Sequence, residues 1–354
     1  MLKPTRRSNS PPSIPAELRL ESGSVSLIGP ANDANPMAQV RTKLLGSIVL
    51  DASIKWTRIT LQLTGMAKLN IPVTGHREDA NQPATINSTT NICDVEKELI
   101  PTGESSIAFG LHLPHNLPPS VETKHASVIY TLIATLTGGP FKKQKIQRTV
   151  VVKRHYLPNS SVMIPTALVA NVQGWFEYNI EAPRACAIEA GEIVLAARWS
   201  VEKERMDVKH VDIRLEEIES YRYRTREALH KLPPVIRRYP ISTYHPTAFS
   251  QDINETHLLR APIPSTIRAR HYSMYLEITH RCRVTFHFGS ADNQSPYVEP
   301  LTVEVPIIVT NFPDGEENSA IGVGDDGIQV DLDLPEYTPQ YESAVAVAVT
   351  NEVS

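Results

Sequence analysis

The residues best spaced for chemistry lie near the C-terminus, and the chemistry they suggest is recognition. Leu334-Pro335-Glu336-Tyr337 is followed at once by Thr338-Pro339-Gln340-Tyr341, so the pattern Pro-x-Tyr occurs twice, four residues apart. A proline presets the extended polyproline II conformation, so little entropy is lost when such a segment docks. Pro335 can sit between the aromatic side chains of a WW-type groove while Tyr337 fills a neighbouring apolar pocket with its hydroxyl in water. Pro339 and Tyr341 repeat the arrangement. Neither copy has a double proline, which weakens each site and gives weight to avidity from the pair. Four-residue matches also arise by chance in acidic, proline-bearing segments, so the motif alone leaves both readings open.

A second chemistry is anion binding. Arg222, Arg224, Arg226, Lys231, Arg237 and Arg238 fall within seventeen residues, and arginine grips phosphate through paired donors. Acidic lipid headgroups or a phosphorylated cargo tail are the ligands such a group would take. A solvated basic loop fits the same residues at least as well, and the same holds for Lys142, Lys143 and Lys145. His112, His115 and His125 cluster in sequence but lack a carboxylate set or cysteine at metal-ligand spacing, so no metal and no cofactor is expected. No G-x-S-x-G, H-E-x-x-H, C-x-x-C or phosphate-cradling glycine loop occurs. That leaves an enzyme only as a hydrolase with a dispersed site. Basic residues interleave with aromatics only over Tyr221–Arg226, too short a run to indicate nucleic acid.

The positioning elements are those of a β protein. Prolines number 28 in 354 residues, roughly 8% against the usual ~5%, and are scattered among short apolar runs. The net charge of −4 conceals a polarity: residues 284–354 hold 13 acidic and no basic residues, leaving a body of about +9. Cys93, Cys186 and Cys282 are far apart and odd in number, which suggests free thiols in a reducing compartment. The first ten residues are basic with no apolar run behind them, unlike a secretory signal, and the cytoplasm is the expected location.

Strands are expected over Leu18–Ile28, Val40–Leu50, Ile59–Thr64 (ended by Gly65), Cys93–Ile100, Ile107–Leu113 and Val128–Leu136. Residues 72–92 look like a long loop, and Gly138-Gly139-Pro140 turns the chain into a strand ending near Val152. Later strands are expected at Trp175–Ile180, Gly191–Val201, Met274–Phe288 and Leu301–Val309, with Arg237-Arg238 in a proline-broken loop. Val208, Val211, Leu215 and Ile218 fit a helical stripe as well as Val211–Glu216 fits a strand; an internal repeat decides for strand. Pro119-Ser120 with Tyr130 matches Pro264-Ser265 with Tyr275 at an offset of 145, and Gly46–Leu50 matches Gly191–Leu195 at the same offset. Two matches at one offset indicate a duplicated domain, although Tyr130 and Tyr275 share faces with different kinds of residue.

The stretch Asn116-Leu117-Pro118-Pro119-Ser120-Val121 followed by Val128-Ile129-Tyr130-Thr131-Leu132 resembles the signature of the arrestin N-terminal domain. The second half is similar to the arrestin C-terminal domain. There Gly191-Glu192-Ile193 stands where that family has Pro-Gly-Glu, with Ala190 replacing the proline. The resemblance spans roughly residues 17–313 and implies an all-β chain of two immunoglobulin-like sandwiches in tandem. The expected organisation is a disordered segment at 1–16, domains at 17–155 and 163–313 joined by a linker at 156–162, and an acidic disordered tail at 314–354. With its Pro-x-Tyr motifs the chain is closest to the α-arrestin, trafficking-adaptor branch. That branch implies a non-catalytic adaptor, recruited from the cytoplasm to the plasma membrane and endosomes. It would engage cytoplasmic tails of transporters or receptors, contact the membrane peripherally, and bring a WW-domain HECT ubiquitin ligase through Leu334, Pro335, Tyr337, Pro339 and Tyr341. The alternative on the same fold is a ligase-independent endosomal cargo-sorting scaffold, like the arrestin-like subunit of retromer.

Overall fold

Period-two alternation becomes strand throughout the computed structural model, which describes residues 16–29, 31, 42–51, 54–72, 85–139, 142–155, 165–201, 206–224, 228–246, 255–290 and 298–311. Residues 1–15 of the expected N-terminal segment, the linker and the tail, with Leu334, Pro335, Tyr337, Pro339 and Tyr341, lie outside the described residues, as does Arg226. Ala16, expected in the N-terminal segment, is instead buried at the start of the first strand.

The first half supplies β1 (Ala16–Leu20), β2 (Ser24–Ile28), β3 (Lys43–Leu50), β4 (Arg58–Pro72), β5 (Thr85–Leu99), β6 (Ser106–His112), β7 (Val121–Glu122), β8 (Ala126–Thr137) and β9 (Lys143–His155). One sheet has the order β1-β3-β6; the other runs β2-β9-β8-β4-β5, with β7 on β8. Their inner faces share one core, in which Leu18, Ile48 and Leu111 meet Ile59, Leu61, Leu132 and Leu136. The second half supplies β10 (Thr166–Val172), β11 (Phe176–Ala182), β12 (Ala185–Ala187), β13 (Glu192–Val201), β14 (Met206–Arg224), β15 (Leu229–Lys231), β16 (Val235–Tyr244), β17 (His257–Pro262), β18 (His271–Tyr272), β19 (Leu276–Ser290) and β20 (Leu301–Thr310). Its sheets run β10-β11-β13-β17 and β12-β20-β19-β14-β15, with β16 on β14 and β18 on β19. They enclose a core built on Trp199, Phe176 and Phe286. The chain is therefore an all-β pair of sandwiches, and the segment that also fitted a helix is strand β14.

Several boundaries differ from the sequence expectation. Leu18–Ile28 is two strands, because the chain changes sheet at Gly23: β1 pairs with β3 while β2 runs parallel to β9. The expected loop at 72–92 is strand where it is described: Pro72 ends β4 and 85–91 pair with it in β5, whose polar side chains suit an outer strand, while 73–84 lie outside the described residues. Arg237 and Arg238 lie in β16 and not in a loop. Gly65 does not end β4, which continues to Pro72. A β-bulge falls between Gly65 and Met66 against β5, and Tyr130 lies directly over the glycine. A methyl at Gly65 would sit 2.6 Å from Tyr130 Cε1 and 2.8 Å from Cys93 Cβ. Gly65→Ala is thus expected to lower stability by about 1–3 kcal/mol through overpacking. Urea midpoints of the two proteins check this, and an unchanged midpoint would mean the Tyr130 ring can move aside.

The two halves do repeat one another, but at a different register near the central motif. Thr123 N–H and Oγ1 both donate to Ala126 O, at 2.8 and 2.9 Å. Ser273, 150 residues on, does the same to Leu276 O at 2.9 and 3.2 Å. Val121 pairs with Val128 in β7–β8, and His271 with Ile278 in β18–β19, again 150 apart. The offset of 145 therefore aligned residues that are not equivalent. Gly46 lies inside β3, whereas Gly191 precedes β13 with φ +72°. The structural counterpart of Tyr130 is His280, and that of Tyr275 is His125.

The Leu-Pro-Pro-Ser stretch has a physical rationale in this frame. Two consecutive prolines leave carbonyls with no neighbouring N–H to form a ladder. Tyr130, fully buried, donates its hydroxyl to Pro118 O at 2.7 Å. Arg154, also buried, donates to Leu117 O at 2.8 Å, to Gly29 O at 2.7 Å and to His115 O. Ser120 closes the stretch against β9: its N–H donates to Val152 O at 2.7 Å and its Oγ accepts from Val152 N–H at 2.9 Å.

Candidate functional site

The inner face of β14 changes chemistry along its length. Val211, Ile213 and Leu215 point into the core, and the same row continues as Glu217, Glu219 and Tyr221, all buried. In the first sandwich Gly65 faces Tyr130 across β4–β8; in the second, Glu217 faces His280 across β14–β19. The Gly65–Tyr130 pair is thus replaced by a buried Glu217–His280 pair at the equivalent place.

The charge is met from the segment between β17 and β18. Arg268 donates through its backbone N–H to Glu217 Oε2 at 2.9 Å and through Nε to Glu217 Oε1 at 3.1 Å. Its Nη2 bridges Glu217 and Glu219. Tyr239 Oη donates to Glu217 Oε2 at 3.3 Å. His280 Nε2 stands 3.9 Å from the same oxygen, beyond ordinary hydrogen-bond length but in direct line with the carboxylate across the strand pair. Burial works to raise the Glu217 pKa, but His280 and the three donors of Arg268 outweigh it and hold the group at about 2. A carboxylate held that low is a poor proton acceptor near neutral pH. Beside it, burial and then the Arg268 charge push His271 down to about 3. On the outer face Glu216, also buried, is clasped by Arg281 at 2.8 Å, with Arg238 at 3.4 Å and Arg214 at 3.8 Å.

This network reaches the first sandwich. Tyr221 Oη donates to Glu219 and lies 3.2 Å from Thr123 Oγ1, while the His125 ring meets its edge at 5.6 Å. Tyr275 Oη lies 2.6 Å from both Ser88 Oγ and Thr90 Oγ1. His155 joins Ser26 Oγ at 3.0 Å to Asn311 O at 2.9 Å. Tyr221, Tyr275, Leu276 and Ile278 belong to the same apolar cluster as the first core. The arrangement has the chemistry of a mechanical joint between sandwiches.

The described arginines of the expected anion-binding group differ in their surroundings. Arg222 donates to Met274 O at 3.2 Å and Ser273 O at 2.7 Å and stacks on the Tyr272 ring at 4.4 Å. Arg238 is drawn to Glu216, whereas Arg224 and Arg237 are exposed, on β14 and β16. His112 is exposed, and His125 faces Asn70 O at 3.2 Å and Tyr221, so the two take separate structural places. Glu217 and Glu219 could have been found from the period-two row that ends at Tyr221. Arg268 and Arg154 had no local signal, since each acts across more than thirty residues. One other grouping escaped the sequence reading: His210, Asp212 and His287 place their ligand atoms within 4.8 Å of one another on the outer face of β14 and β19.

Residues 43–157, from β3 to just beyond β9, match the family model described as "Arrestin (or S-antigen), N-terminal domain". The match takes in the Leu-Pro-Pro-Ser stretch, Tyr130 and Arg154. No curated protein matches the chain.

Proposed function

We propose that this chain is a non-catalytic arrestin-like adaptor that links the cytoplasmic tail of a membrane transporter or receptor to a WW-domain HECT ubiquitin ligase. The observation that carries the reading is the arrestin-type N-terminal domain at residues 43–157, followed by a second sandwich of matching strand pairing. Two Pro-x-Tyr motifs then follow in the sequence. In this reading the sandwiches engage the cargo at the plasma membrane or endosomes, and exposed Arg224 and Arg237 contribute to contact with acidic lipid or cargo. Pro335/Tyr337 and Pro339/Tyr341 recruit the ligase, whose product marks the cargo for endocytic sorting.

The test is binding of the full chain to a set of isolated WW domains. Binding tighter than about 1 mM, roughly −4 kcal/mol, is expected for at least one of them. Tyr337→Ala combined with Tyr341→Ala should weaken it at least tenfold, with each single variant in between. Binding indifferent to both tyrosines would remove the ligase arm and leave a scaffold of arrestin-like fold.

A further inference from the structure

The opposite end of β14 carries a side-chain group that the adaptor reading does not use. Strands β14 and β19 are in register from Tyr221 back to His210, and there a bulge intervenes: Val208 pairs with Phe288, and His210 with His287. The extra residue is Lys209, which lies over Gly289. A bulge sets two successive residues on one face. Val208 and Val211 thereby both stay in the core, and His210 and Asp212 both look outward beside His287. In an unbroken alternation of the same residues, His210 would share the inward face of Val208.

We propose that His210, Asp212 and His287 form a binding site for a divalent transition-metal ion of borderline softness, with zinc as the representative ion. Two imidazoles and one carboxylate are the donor set such ions take, leaving a fourth position for water. The three ligand atoms already lie within 4.8 Å of one another. His287 Nε2 is 3.2 Å from Asp212 Oδ2, close to the roughly 3.3 Å edge of a tetrahedron with Zn–N bonds of about 2.0–2.1 Å. The His210 and His287 rings stack 4.2 Å apart at 12°, so each ring must turn for both lone pairs to converge on one ion. The carboxylate is pre-oriented: Thr243 on β16 donates its hydroxyl to Asp212 Oδ1 at 2.7 Å and leaves Oδ2 for the ion. The His–Asp contact accounts for His287 without a metal but leaves His210 with no hydrogen bond among the described residues; it has ring contacts with His287 and, at 5.8 Å, His245, and the charge of Asp212 nearby. A shared ion gives both imidazoles a partner. Its structural effect is a cross-brace between β14 and β19, about 35 Å along the strand from Tyr221, so the proposal stands apart from the adaptor reading.

The test is zinc titration of the full chain by calorimetry, after chelator treatment and with a phosphine reductant present. One equivalent of Zn²⁺ should bind with micromolar or tighter affinity and raise the melting temperature, and Co²⁺ should give the visible absorption of a low-coordinate site. His287→Gln and Asp212→Asn should each weaken Zn²⁺ at least tenfold. Both side chains are partly exposed, and unchanged metal-free melting would show that the variants are folded. Absence of saturable binding below about 1 mM would overturn the proposal. So would binding that persists at wild-type affinity in both variants, which would place the ion elsewhere.

Discussion

Replacing Arg268 by methionine is expected to destabilise the protein by about 3–5 kcal/mol, the cost of leaving a buried charge without its partner. That corresponds to a fall of roughly 10 °C in the melting transition. Glu217 is fully buried and Glu219 nearly so, and one guanidinium serves both. Methionine keeps the length of the stem and removes every side-chain donor. Changing Glu217 to glutamine in the same chain should recover part of the loss, because one of the two orphaned carboxylates is then neutral.

The pH dependence provides an independent check. Glu217 sits at about 2 when folded, against 4.5 in an ordinary environment. A lowered folded pKa contributes stability that is complete above the unfolded value and is lost as pH falls through the folded one. The window is therefore about pH 4.5 down to 2, and the contribution is on the order of 3 kcal/mol. In Arg268→Met the carboxylate loses its counter-charge, its pKa rises, and acid no longer removes a favourable contact. The stability gap between the two proteins should close as pH falls from 7 towards 3. A gap that stays constant over that range would show that the pairing is not between an ionised Glu217 and Arg268.

The sequence made the architecture legible where one physical rule dominated. Alternation alone places β3, β8, β13 and β20, since each has one face in a core. It failed where a second rule intervened. On propensity Gly65 reads as a terminator, but its role is to let Tyr130 approach the backbone. Residues 85–92 are polar because β5 is an outer strand, and in sequence such polarity reads as loop. The duplication was visible, yet the repeated Pro-Ser pair fixed its register five residues away from the one that the Thr123 and Ser273 hydrogen bonds define. The joint was half legible: Glu217, Glu219 and Tyr221 complete a row that begins with Val211. Their partner Arg268 is brought in by topology. His210, Asp212 and His287 were hidden for a similar reason, since a one-residue bulge and a separation of 75 residues create the group.

Arg154→Met should have the second large effect, and it isolates what holds the Leu-Pro-Pro-Ser stretch. The guanidinium satisfies carbonyls of Leu117, Gly29 and His115 from a side chain that is only 4% exposed. A buried acceptor left without a donor costs about 1–3 kcal/mol, so three of them predict a loss of roughly 4 kcal/mol once the segment relaxes towards water. Tyr130→Phe removes a single donor, to Pro118 O, and should cost only about 1 kcal/mol. Arg154→Lys should fall nearer the methionine variant than the wild type, because an ammonium cannot reproduce the planar fork that reaches three acceptors at once. Urea unfolding of the three variants gives the ranking. If Arg154→Met cost no more than Tyr130→Phe, the stretch would be held by Ser120 and its exchange with Val152. The arginine would then be filling space beneath the prolines without organising them.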